Sequence, residues 1–65
     1  MNPFNLTTDD VVVIAAGDEW PEHLFRVSEV HEDCITGLAI TGPLAGVYGE
    51  PDYNLIVSVH SRAKG

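Results

Sequence analysis

The sequence has little positive charge. Three Lys and Arg stand against ten Asp and Glu, for a formal net charge of -7 with neutral histidines. Two of those cations, Arg62 and Lys64, fall in the last four residues, so 1–60 holds every acid and a single base, Arg26. Gripping a phosphate backbone takes clustered Lys and Arg, and no direct nucleic-acid binding is expected. Cysteine is as scarce: Cys34 alone cannot form an internal disulfide, so the fold must stand on its apolar core. Long apolar runs are missing too. The longest, 11–16, is far short of the roughly 20 residues needed to span a bilayer. Met1-Asn2-Pro3-Phe4-Asn5 lacks the cationic stretch that opens a secretory signal. The expectation is a cytoplasmic protein with no membrane contact.

What is present is a chain of 65 residues, 45% of them apolar. A core of that size offsets chain entropy by only about 3 to 5 kcal/mol, which leaves no room for a large enclosed active site. No segment repeats at a period of 20 to 50 residues. The expectation is one small domain over 1–65, with a core over about 9–60 and a loose tail over 61–65. Punctuation at Gly17-Asp18, Trp20-Pro21, Glu32-Asp33, Gly42-Pro43, Gly46, Gly49 and Pro51 leaves apolar segments of strand length between the marks. That spacing points to an all-β fold of about five short, bent antiparallel strands. Thr7-Thr8-Asp9-Asp10 reads as a polar turn before the first of them.

Val11-Val12-Val13-Ile14-Ala15-Ala16 is apolar on both faces, as suits a strand covered on both sides or one inside a closed small barrel. In 54–60, Leu55, Val57 and Val59 alternate with polar residues, which places those three on one face and leaves Ile56 as the exception. Between these strands, a hairpin folded about Glu32-Asp33 would set Val30 opposite Ile35, Val27 opposite Leu38 and Phe25 opposite Ile40. The apolar spacing steps by three in both arms at the level of Ser28 and Gly37, so the arms are expected to bend together. Glu-Asp lacks the glycine of tight two-residue turns, which favours a four-residue turn from His31 to Cys34. The competing reading is a helix around 19–31 capped by Asp18, giving an α+β fold. Phe25, Val27, Ser28, Val30 and His31 are mediocre helix formers, and a helix would make the mirrored apolar pairs a coincidence.

A strand, a turn-rich excursion, a bent hairpin, a Gly and Pro loop and a final strand together resemble the SH3-like small barrels, which include SH3 domains, Tudor-like modules and KOW-type modules. The resemblance covers about 9–60. Its local echo is Gly46-Val47-Tyr48-Gly49-Glu50-Pro51-Asp52-Tyr53-Asn54, similar to the run that leads into the last strands of SH3 domains. The Ala-Leu-Tyr-Asp-Tyr segment and tandem tryptophans of that family are absent, so proline-rich peptide binding does not carry over. This architecture hosts many unrelated functions.

Three sets of residues could carry chemistry. Trp20-Pro21 in one loop and Tyr48, Pro51 and Tyr53 in another would form a groove for a cationic or extended ligand if the loops lie side by side. Equally, Trp20 and one tyrosine would cap the ends of a small core. His31 and Cys34 share metal-ligand spacing, with His23 and His60 elsewhere, but a structural zinc site wants four ligands. Cys34 is better read as a small buried residue and the histidines as surface groups. A Cys34 nucleophile needs an electropositive setting, whereas Glu29, Glu32 and Asp33 surround it with negative charge. Glycines 42, 46 and 49 lack the Lys of a phosphate loop.

The sequence therefore leads to an expectation of a non-enzymatic interaction module without cofactor or metal. It would bind a basic protein or peptide through Trp20, Tyr48, Tyr53 and Pro51, with Asp18, Glu19, Glu50 and Asp52 supplying attraction. The alternatives are an acidic decoy that mimics nucleic-acid charge on a basic protein, and a homo-oligomeric subunit pairing through the edge at 54–60.

Overall fold

The structure is a computed structural model that describes residues 2–63. The β-branched run forms β1 (Val11–Ile14), followed by β2 (His23–Val30), β3 (Ile35–Ala39), the two-residue β4 (Tyr48–Gly49), a 3-10 turn (Tyr53–Leu55) and β5 (Ile56–Ser61). All pairings are antiparallel, and the order across the sheet is β4-β3-β2-β1-β5. No helix among the described residues is long and apolar enough to cross a membrane.

The helix weighed around 19–31 does not form. Phe25 and Val27 instead place their side chains in the core, while β2 pairs with β1 on one side and β3 on the other. A β-branched and aromatic segment gains more from two ladders than from its weak helix propensity. The β2–β3 turn spans His31 to Cys34 as the sequence indicates, closed by the His31 N–H donating to the Cys34 carbonyl at 2.9 Å.

The register needs correction beyond the first pair. Val30 does face Ile35, but Val27 faces Gly37 and Phe25 faces Ala39, because a single extra residue, Ser28, bulges from β2. The bend is therefore made by one arm and not by both. It turns Leu38 and Ile40 outward, where they remain exposed, and brings the Arg26 backbone against Gly37. A Cβ at Gly37 would lie 2.0 Å from the Arg26 carbonyl oxygen. Gly37 is thus required by close backbone approach.

β5 departs from simple alternation for the same physical reason. Its pairing with β1 shifts register between Val12 and Val11 and again between Val13 and Ile14. Each shift resets which face a side chain takes. Ile56, the exception in the sequence pattern, becomes the buried residue of the strand, whereas Val57 is 54% exposed.

The core joins Val12, Ile14, Phe25, Val27, Ile35, Ala39 and Ile56 to Leu6, which lies ahead of the 9–60 span. Leu6 is held there by Asn2, whose side chain exchanges two 2.8 Å hydrogen bonds with the Leu6 backbone. The far end is tied down as well. Ser61 belongs to β5, and the Ala63 N–H donates to Asp10 Oδ1 at 2.6 Å. Arg62 donates to Asp10 Oδ2 and to the carbonyls of Phe4 and Asn5. The loose tail expected over 61–65 is therefore anchored through Ala63, and Lys64 and Gly65 lie outside the described residues.

Candidate functional site

Two loops meet over one end of the core. The β1–β2 loop carries Trp20, whose indole N–H donates to the Ala15 carbonyl at 3.2 Å while its ring packs on Gly17. A Cβ at Gly17 would lie 2.6 Å from that ring, so the glycine lets the indole lie flat on the loop. The β3–β4 loop turns back through Gly42 and Gly46, both at positive φ, where glycine is free of strain. The Gly46 N–H donates to the Ala39 carbonyl at 2.7 Å, which directs Leu44 and Val47 toward Trp20.

Between these loops lies a groove of about 290 Å³. Its base is the core itself, at Ile14, Phe25 and Ala39, each at most 3% exposed. Trp20, Leu44, Val47, Tyr48 and Pro51 wall it, and Glu50 is the one carboxylate of the lining among the described residues. Tyr48 donates its hydroxyl to Glu50 Oε2 at 2.9 Å. That hydrogen bond, with burial and the Glu50 charge behind it, raises the Tyr48 pKa and keeps the phenol protonated at neutral pH.

The residues singled out from sequence divide. Trp20, Tyr48, Glu50 and Pro51 come together at the groove. Tyr53 and Asp52 instead line a separate cleft of about 410 Å³ with Pro3, Glu32, Asp33 and Asn54. There the Tyr53 hydroxyl donates to the His31 carbonyl. Asp18 and Glu19 sit exposed on the β1–β2 loop and line neither cavity. Sequence reasoning missed Leu44, Val47 and His23 as groove residues. The available signal was the pair of glycines bracketing Leu44, which marks a loop that doubles back.

His23 also corrects an expectation. It is 7% exposed and not a surface group, because it opens β2 at the position facing Ile14. Its Nδ1 lies 2.8 Å from the Pro21 carbonyl oxygen, so Nδ1 carries a proton and donates.

Cys34 is only half-buried. Burial first, then the carboxylates of Glu50, Asp52 and Asp33, raise its thiol pKa and suppress the thiolate. No cluster of three or more potential metal ligands occurs among the described residues.

No family model matches the chain, and no curated protein and no solved structure matches it.

Proposed function

We propose that this chain is a non-enzymatic interaction module that takes a basic protein or peptide segment in the groove between its Trp20 loop and Tyr48 of β4. The observation that carries the reading is an open, largely apolar cavity rimmed by an aromatic pair and Glu50 on a strongly acidic molecule. Apolar lining with few polar groups is the usual chemistry of a binding cleft, and the charge of -7 steers cationic partners toward it. The meander of β1 to β4, with its bent hairpin, the turn before β5 and the return of β5 to pair with β1, supports the SH3-like likeness. That architecture presents its loops at the ends of a small core. The test compares partner capture by the native chain with capture by Tyr48→Ala and Trp20→Ala. Tyr48 is 59% exposed, so its truncation should leave the fold intact. Loss of capture by both variants is expected, and undiminished capture by both would refute the reading.

A charge-mimicking decoy is the second reading, favoured by the cleft where Glu32, Asp33 and Asp52 converge. Salt separates the two. A decoy loses its partner steeply as ionic strength rises, whereas a groove with an apolar base retains most of its affinity.

A further inference from the structure

We infer, resting on the interaction reading above, that the groove takes one bulky apolar side chain of a basic peptide, with the neighbouring Lys or Arg of that peptide held outside the cavity at Glu50. Size is the first argument. A cavity of about 150 Å³ suffices to enclose a benzene ring, so about 290 Å³ accommodates one large side chain and the adjoining backbone. It falls at the small end for a drug-sized ligand. Lining chemistry is the second. The base is Ile14, Phe25 and Ala39, and an ammonium driven onto it would lose its water with no side-chain hydrogen-bond acceptor among those three residues. Glu50, the only carboxylate of the lining among the described residues, is exposed and already accepts the Tyr48 hydroxyl. A cation is therefore best satisfied at the rim and an apolar group within.

Charge fixes the character of the flanking residues. Arg26 and Arg62 are the arginines of the chain, and neither lines the groove. Arg62 is engaged with Asp10 and the backbone of Phe4 and Asn5. Among the described residues, no fixed positive group of the lining opposes a basic segment as it approaches Glu50.

The test uses capped peptides Arg-Gly-Z-Gly-Arg in which Z is Leu, Phe, Ala or trimethyllysine. Binding is read from the fluorescence of Trp20, the only tryptophan, and from amide NMR shifts. The Leu and Phe peptides should bind about tenfold tighter than the Ala peptide, with shifts at Tyr48, Gly49 and Leu44. The trimethyllysine peptide should bind no better than Ala. Gly49→Ala adds a methyl at 3.5 Å from the Phe25 ring and 4.0 Å from Pro51, an ordinary contact that narrows the groove without disturbing the fold. It should weaken the Leu and Phe peptides selectively, while Glu50→Gln should weaken all four alike.

Three results would overturn the inference. They are a trimethyllysine peptide that binds as tightly as Leu, shifts confined to the Glu32, Asp33 and Asp52 cleft, and no groove shift from any peptide at millimolar concentration. Equal binding by all four peptides that is lost in Tyr48→Ala removes the apolar anchor but keeps the interaction reading. Absence of groove binding together with full partner capture by Tyr48→Ala and Trp20→Ala removes both.

Discussion

Gly37 and Gly49 face each other across β3 and β4, yet they meet different surroundings. A Cβ at Gly37 would strike backbone at 2.0 Å, whereas one at Gly49 would rest 3.5 Å from a ring. Backbone cannot move aside as a flexible side chain does, so Gly37→Ala is expected to cost about 3 kcal/mol, the upper end for overpacking. That approaches the whole stability of a domain this small. Gly49→Ala should stay within about 0.5 kcal/mol. Urea denaturation of the two variants side by side measures the difference.

Asp10 is the other residue with an outsized role. It is fully buried and accepts from the backbone N–H groups of Thr7 and Ala63 and from Arg62. Burial alone would raise its pKa, but the Ala63 and Thr7 N–H groups and Arg62 outweigh it and lower the pKa below 3.8. A carboxyl lowered in the folded state contributes stability that is complete above its unfolded pKa. That contribution is lost as pH falls through the folded value. Asp10→Asn should therefore destabilise the protein at pH 7 by about 1 to 3 kcal/mol through mismatched hydrogen bonds. It should also flatten the decline in stability below about pH 4. Denaturation midpoints from pH 2 to 7 test both parts.

At the scale of elements, bulges decide which side chains reach the core. Ile56 is 7% exposed and Val57 54%, the reverse of a strict two-residue alternation counted from Leu55 and Val59. Ile56→Ala is accordingly expected to cost about 2 to 4 kcal/mol, and Val57→Ala less than about 0.5 kcal/mol. Equal costs by chemical denaturation would mean that the β5 register differs from the one described. The same effect explains why the hairpin was only partly legible in sequence. The turn from His31 to Cys34 and the Val30 to Ile35 pair follow from local pattern. Beyond Ser28, the extra residue is accommodated in β2 alone, which shifts every later pair. A mirrored apolar pattern is compatible with either a double bend or a single bulge.

At the scale of the whole molecule, charge sets the behaviour. A net charge of -7 on a chain of 65 residues places like charges within a Debye length of one another, about 10 Å at 0.1 M salt. Their mutual repulsion opposes the compact state. Raising NaCl from about 20 mM to 500 mM, across which the Debye length shortens severalfold, should raise the melting temperature. An increase of about 7 °C corresponds to roughly 1 kcal/mol for a domain of this size. A thermal scan by circular dichroism at each salt concentration checks the direction. A fall with salt would show that attraction within the acidic field, such as Arg62 with Asp10 at 3.3 Å, dominates over repulsion.

By itself the sequence determined the all-β class, the position of the central turn, the acidic character and the two loops that hold Trp20 and Pro51. Each of these rests on residues close together in the chain or on composition. Only the tertiary structure decided that Trp20, Tyr48, Glu50 and Pro51 share one groove while Asp52 and Tyr53 turn to another. It alone decided that Asp10 bonds to Arg62, 52 residues away. The reason is that bulges, close backbone approach and buried charge pairing arise where separate segments pack. Local periodicity carries no record of which segment lies on the other side.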